Sequence, residues 1–364
     1  MRRRAIRGMA AILAVGSAPG LSTAEPTASS PLELIGAAEI PFGARFQGYP
    51  IGGLSGLDRL PGGDFIAISD DKGDGRQPRF YQLAITLDPA QHRARVRVKG
   101  QAILRDAQDV PFPIDRPVVD PEAIRHGDDG HVYWSSEGTW SDDPARRVQP
   151  GIYESDATGR VLRSFSLPAA YLYTDNKTRG AVSNGVLEGL AAGPTGTVYA
   201  INEVPAYEDG VADGGSGKPM RHRLTSFDPK NGKPLHQYVY EVPDGQYSVS
   251  ELLAVDDRHF LSIERIVPFD AKKGVDARIV LSGITDRTTD VLSCPGLKSC
   301  PAIAMTRTIL LDLPKRYRGI KIDNLEGLAW GPSLADNRRT LIVEADNNFN
   351  KEEVSQFLVF AWSR

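Results

Sequence analysis

The residues most able to do chemistry in this chain are carboxylates that recur along it. Leu187-Glu188-Gly189-Leu190-Ala191 returns as Leu325-Glu326-Gly327-Leu328-Ala329 and as Pro121-Glu122-Ala123-Ile124. Looser copies stand at Ser250-Glu251-Leu252-Leu253 and Leu54-Ser55-Gly56-Leu57. With Ser55, Glu122, Glu188, Glu251 and Glu326 as origins, the steps are 67, 66, 63 and 75 residues. Each origin is followed by an apolar, strand-like run that ends in an acid: Asp70, Glu137, Glu203, Glu264 and Glu344. That acid follows by 15 residues in the first three copies, by 13 in the fourth and by 18 in the fifth. Hard carboxylate oxygens in such numbers suit Ca²⁺, which takes roughly six to eight oxygen ligands, better than Zn²⁺.

Cations are interleaved with these acids. Lys72, Arg76 and Arg79 follow Asp70-Asp71; Lys177 and Arg179 precede Glu188; Arg221 and Arg223 follow Glu203; Arg265 follows Glu264; Lys321 precedes Glu326. Acids and bases at one site fit a metal with an anionic ligand, because Arg matches phosphate and carboxylate oxygens bidentately. The plainer reading is ordinary surface ion pairing, with each Glu accepting backbone N–H groups of its neighbours. Other catalytic signatures are missing. Gly53-Leu54-Ser55-Gly56-Leu57 lacks the last glycine of a nucleophile elbow, and none of the six histidines forms His-x-His or His-Glu-x-x-His. Arg125-His126-Gly127 opens like a histidine acid phosphatase motif, but Asp128-Asp129-Gly130 departs from it.

The elements that must position the acids repeat with them. Each copy carries about four strand-like runs separated by Gly, Pro, Asp and Asn turns. In the third copy these are residues 186–191, 197–202, 223–227 and 235–242, the last two joined by Asp228-Pro229-Lys230-Asn231-Gly232. Four antiparallel strands per repeat without helices predict an all-β β-propeller. Five blades account for the copies, with a sixth left open in poorly matching segments. The last copy has only three strands, and residues 32–42 supply a fourth that closes the ring. In a blade the first strand lines the channel and the second runs back, so the start of one and the end of the other share a face. The recurrent acids therefore meet at one channel mouth, where so many like charges must be neutralised.

The whole chain sets limits. Its 364 residues are 41% hydrophobic with net charge -3, a globular composition without the basic excess of a nucleic-acid binder. Arg2-Arg3-Arg4, an apolar stretch from Met9 to Val15 and Ser22-Thr23-Ala24 predict a signal peptide over 1–24 for Sec or twin-arginine export. The stretch is too short for a membrane span. A spacer over 25–31 and a single propeller domain over 32–364 follow. Cys294 and Cys300, in an exported chain, predict a local disulfide.

An ordered set of motifs resembles the phytase-like family, "esterase-like activity of phytase", of exported bacterial proteins. It comprises Gly56-Leu57-Asp58, Ser69-Asp70-Asp71, Asp120-Pro121-Glu122-Ala123-Ile124, Ser136-Glu137-Gly138, residues 184–190, Asn202-Glu203 and Asp323-Asn324-Leu325-Glu326-Gly327-Leu328. The resemblance runs from about Gly52 to Trp362 and implies an exported propeller, periplasmic or secreted, with hydrolase activity on phosphate or carboxylic esters. Ser55 departs from the acidic origin of the other copies.

These readings give a monomeric, metal-dependent phosphoesterase acting on a small anionic ester, with Ca²⁺ as cofactor. Glu122, Glu188, Glu203, Glu264 and Glu326 are the expected ligands. Glu188 and Glu326 are expected to act in catalysis, with Arg79, Arg265 and Lys321 as substrate clamps. Two alternatives stand beside this: a non-catalytic binding scaffold with a purely structural Glu ring, and a metal-dependent lactonase or carboxylesterase.

Overall fold

In the computed structural model the described residues are 30–72, 75–127, 130–211, 217–266 and 270–363. The proposed signal peptide lies outside them. Glycine- and aspartate-rich turns cut the chain into short strands, as alternating and continuous apolar runs require.

In chain order these are β1 (Leu32–Ile40), a two-strand ribbon of β2 (Arg45–Phe46) and β3 (Tyr49–Pro50), then β4 (Leu54–Arg59), β5 (Phe65–Ser69), β6 (Arg79–Asp88) and β7 (Arg93–Ile103). β8 (Pro121–His126), β9 (Val132–Ser136), β10 (Gly151–Ser155) and β11 (Val161–Ser164) follow. Next come β12 (Gly189–Ala192), β13 (Val198–Ile201), β14 (Met220–Phe227) and β15 (Pro234–Val242), then β16 (Tyr247–Ala254), β17 (His259–Ile266), β18 (Ala277–Gly283) and β19 (Thr306–Leu313). A second ribbon, β20 (Arg316–Tyr317) with β21 (Ile320–Lys321), leads to β22 (Asn324–Trp330), β23 (Arg339–Asp346) and β24 (Ser355–Trp362). The only helical elements among the described residues are short 3₁₀ turns.

Pairing makes this a propeller. Three four-stranded sheets are β8 to β11, β12 to β15 and β16 to β19. The remaining eight strands form two further units, β4 to β7 and β22-β23-β24-β1, bridged at the single parallel pair Ala37↔Arg93. The first strands of the five units neighbour one another in a closed cycle, β4, β8, β12, β16, β22 and back to β4. Five apolar cores fill the five gaps between adjacent units; Ile66, Ile68 and Phe80 meet Ile124 and Trp134 in one, for example. β1 closes the ring by pairing antiparallel with β24 from Leu32↔Trp362 to Ile40↔Ser355.

Position within a blade explains the burial. β16, Tyr247–Ala254, is buried at every residue because it has blades on both sides. Outer β7 alternates exposed Arg93, Arg95, Arg97 and Lys99 with packed Ala94, Val96 and Val98, as one solvated face demands. Charged side chains on that outer strand also discourage pairing with another chain's edge. The Cys294–Cys300 disulfide staples a surface loop beside blade three, where Arg223 donates to the Cys294 carbonyl.

The recurrent Glu-Gly-Leu has a packing cause. A Cβ added to Gly56 would lie 2.8 Å from Ala123 Cα and Glu122 O and 2.9 Å from Ile124 N, all backbone of the next inner strand. At Gly189 it would meet Leu252 N at 2.9 Å, and at Gly327 it would meet Leu57 Cβ at 3.2 Å. The small residue is therefore where inner strands approach most closely around the channel.

Arg125 plugs that channel below. Its guanidinium donates to the carbonyls of Leu57, Ile124, Leu190 and Leu252 at 2.6–2.8 Å, spanning four blades, and pairs with Glu251 at 2.7 Å.

Candidate functional site: an acidic channel mouth

Backbone register assigns each recurrent residue its place. Asp70, Glu137 and Glu203 donate their N–H to Gly53, Asp120 and Val186, and Arg265 and Asp346 sit opposite Ser248 and Asn324. The residue two beyond each of those partners is Ser55, Glu122, Glu188, Ser250 or Glu326; at Ser55, Ser250 and Glu326 the ladder skips that residue as a bulge. The fourth-copy origin is thus Ser250 and not Glu251, which restores the 15-residue spacing up to Arg265. Glu264 and Glu344 stand one and two residues before the ring positions that Arg265 and Asp346 occupy. The upper ring is therefore Asp70, Glu137, Glu203, Arg265 and Asp346, a cation among four acids.

Asp70, Glu203 and Arg265 of this ring line a cavity of about 480 Å³ at the mouth of the channel, together with Lys72, Glu122, Glu188, Asn324 and Glu326 among others. Arg265 is its hub: it pairs with Glu326 at 2.8 Å and Glu203 at 3.3 Å, comes within 4.0 Å of Glu188, and donates to Asn324 Oδ1. Ser55 Oγ donates to Glu122 Oε2 at 2.7 Å and Ser248 Oγ to Glu203 Oε1 at 2.9 Å, whereas the fourth-blade origin Ser250 donates to the Leu325 carbonyl at 2.9 Å. Asp120, Glu122 and Glu137 bring a ligand oxygen each to within 4.8 Å of one another, all three residues buried. Lys72 Nζ holds Asp120 Oδ2 at 2.8 Å from the solvent side.

Electrostatics follow from crowding. Burial, then the charges of Glu326 and Asp120, raises Asp70 to about 7. Burial, then Glu203 and Asp120, raises Glu137 to about 8. Glu122, Glu188 and Asp346 are pushed well above the carboxylate range by burial and then by neighbouring acids. Arg265 is raised despite its burial, because Glu326, Glu203 and Glu188 favour its charge. The ring can carry its full negative charge only if cations join it, and otherwise takes up protons.

The oxygens fit such a cation. Asp70 Oδ1, Asp120 Oδ1, Glu188 Oε2 and both Asp346 carboxylate oxygens are buried with no hydrogen-bond partner among the described residues. Buried polar atoms are normally satisfied, so five orphaned carboxylate oxygens at one mouth call for a ligand. All donors are oxygen, the set for Ca²⁺ or Mg²⁺ and unsuited to a structural zinc site.

Of the residues singled out from the sequence, Glu122, Glu188, Glu203, Glu326 and Arg265 come together here. Three do not. Glu264 faces the other way along β17, paired with Arg307 at 2.6 Å and accepting from Tyr240 Oη at 2.6 Å. Arg79 is buried against Asp71 at 2.8 Å, the Tyr81 hydroxyl at 2.6 Å and the Pro50 carbonyl at 2.9 Å. Lys321 is held by Asp323 at 3.0 Å and by the Ala271 and Glu352 carbonyls at 2.8 Å. The sequence places Glu137 at the acidic mouth and shows Asp120 within a family motif, but neither is among the five expected ligands, although Asp120 precedes the Pro-Glu of the second copy and Glu137 keeps the 15-residue spacing.

No helix among the described residues is long and apolar enough to cross a membrane. A search of curated proteins finds no match to the chain. Among solved structures, a GH43 β-1,3-galactosidase with galactodeoxynojirimycin is 10% identical, with 88% of this chain and 94% of that one covered and a TM-score of 0.44. A putative exo-β-1,3-galactanase from Bifidobacterium bifidum s17 is 10% identical (88% and 91% covered, TM-score 0.39), and a streptogramin B lyase is 10% identical (89% and 98%, TM-score 0.36). The family model "Phytase-like: Esterase-like activity of phytase" matches residues 49–349, which takes in four whole blades and the acidic mouth. The chain belongs to that phytase-like family.

Proposed function

We propose that this is an exported hydrolase of phosphate esters whose acidic mouth works with a divalent cation, Ca²⁺ in preference to softer metals. One observation carries the reading: buried, partnerless carboxylate oxygens converge at a channel mouth that also presents Lys72 and Arg265. Membership of the family supports ester hydrolysis. The disulfide and the basic, then apolar, N-terminal sequence support export to the periplasm or beyond.

Asp120, Glu122 and Glu137 would hold the cation, with Glu188 beside them. Bound there, Ca²⁺ supplies positive charge that offsets charge developing on the ester oxygens. The protein's own groups do the rest. Lys72, with its side chain 46% exposed, and the inward Arg265 orient the anionic ester at the rim. Glu188 Oε2 makes no hydrogen bond among the described residues and lies 4.0 Å from Arg265, and the charge of Arg265 together with a bound cation would favour the ionised form in which it takes a proton from an attacking water. Glu326 fixes Arg265 and is a positioning residue in this scheme.

A second reading, a non-catalytic scaffold, has its own support: Arg265, on the fourth blade, already ties together acids of the third and fifth blades, as a structural keystone would. One panel separates these readings. Purified mature protein is assayed on phytate, p-nitrophenyl phosphate, p-nitrophenyl acetate and lactones, with Ca²⁺ or with EDTA. Phosphatase activity restored by Ca²⁺ supports the proposal, and turnover of acetate or lactone alone moves it to the carboxylesterase class. No turnover of any substrate leaves the scaffold.

A further inference from the structure

The opposite end of the channel holds a larger cavity, about 780 Å³, reached by the C-terminal ends of the five inner strands. Arg125 forms its floor and separates it from the acidic mouth. Its walls carry the opposite charge. Arg59, His126, His131, Arg163, Lys230 and Arg339 line it, drawn from four blades. Among the described lining residues only two are carboxylates, Asp58 and Glu154, and both are engaged. Asp58 accepts the His126 backbone N–H at 2.8 Å, and Glu154 is held by His131 at 2.7 Å and by Arg163. Arg59 and Lys230 have no ion-pair partner among the described residues. Trp330 adds an aromatic face, with the Arg339 guanidinium 3.4 Å from its ring centroid.

We propose that this mouth is a second binding site, for a small polyanion carrying two or more phosphate or carboxylate groups. The volume lies within the range of small-ligand sites. A concave surface lined by one sign of charge concentrates ions of the other sign. Arginines from separate blades can each engage an oxyanion in bidentate fashion, so a ligand with several anionic groups gains most from the site. The plugged channel keeps such a ligand away from the carboxylate ring, which would repel it. Arg125-His126-Gly127, which plays no part in the acidic mouth, belongs to this second site.

The test uses full-length mature protein in EDTA, titrated with pyrophosphate and separately with citrate. Calorimetry measures affinity, and Trp330 fluorescence reports occupancy. The parent is expected to bind at least one of the two, and the better anion identifies phosphate or carboxylate as the physiological chemistry. Arg59→Gln/Lys230→Gln, both exposed, should keep the parental melting temperature and weaken binding by roughly tenfold or more, as loss of two charged contacts implies. Lys72→Gln, at the other mouth, should bind like the parent. The proposal is overturned if neither anion binds, if the double variant binds as tightly as the parent, or if Lys72→Gln is the variant that loses binding.

Discussion

Replacing Arg265 with Ala tests the electrostatics of the acidic mouth most sharply. The side chain pairs with Glu326 and Glu203, approaches Glu188 and donates to Asn324, all within a buried ring. Removing one partner from a buried ion pair typically costs about 3–5 kcal/mol, because the remaining charge is uncompensated. Unfolding entropy of about 2.1 cal/mol/K per residue over about 330 residues makes this a fall of roughly 4–7 °C in melting temperature. The sign with pH is fixed. Glu188 and Glu326 have folded pKa values raised above their unfolded ones, so ionising them weakens the native state. That penalty is full at pH above the folded values and fades as pH falls through them. Scanning calorimetry in EDTA should therefore show the largest deficit at about pH 8 and a smaller one at about pH 5.5. Ca²⁺ at roughly a hundred times its Kd would restore about 2.7 kcal/mol to the variant. A variant melting within about 1 °C of the parent at both pH values would refute the hub role of Arg265.

Other predictions follow from the same geometry. Gly56→Ala places a Cβ 2.8–2.9 Å from three backbone atoms of the neighbouring strand and should cost at least about 1–3 kcal/mol by chemical denaturation; parental stability would show that the inner strands are not so close. Starting the chain at Gly43 deletes β1 and bares the edge of β24, so it should yield aggregated or far less stable protein, judged by size-exclusion chromatography and melting. Glu264→Gln should lower melting temperature through its lost pairing with Arg307 yet leave Ca²⁺ affinity within about twofold of the parent by titration calorimetry, because Glu264 lies outside the mouth. Ca²⁺ binding should release protons and tighten as pH rises through about 7 and about 8, where Asp70 and Glu137 titrate; calorimetry in buffers of different ionisation enthalpy measures it.

The repeat was legible because the packing problem recurs five times. Four of the five inner strands carry a small residue where they meet the next, so Gly56, Ala123, Gly189 and Gly327 mark their blades in plain sequence, while the fourth has Glu251 there. The closing strand was legible too: an orphan apolar segment at one end matched a missing partner for Ser355–Trp362 at the other. What misled was register. The bulge at Ser250 lets Glu251 and Glu264 mimic ring acids while their side chains serve Arg125 and Arg307. Side-chain direction alternates along a strand, so an error of one residue sends a group to the other face. Arg79 and Lys321 were placed by proximity in sequence, yet buried partners folded next to them take their charge. Arg125 was invisible because the four carbonyls it caps lie on strands up to 127 residues away.

The central claim, that the acidic mouth holds a divalent cation and uses it in ester hydrolysis, is tested by following binding and turnover in one Ca²⁺ titration. Metal-stripped protein is titrated while calorimetry reports binding and p-nitrophenyl phosphate hydrolysis reports activity, beside Asp120→Asn. The account predicts that activity half-saturates at the Ca²⁺ concentration that half-fills the site. Both should move together to at least roughly tenfold higher Ca²⁺ in the variant, the loss expected for one charged ligand. Hydrolysis that stays constant across the titration, or Ca²⁺ binding unchanged by Asp120→Asn, would contradict it.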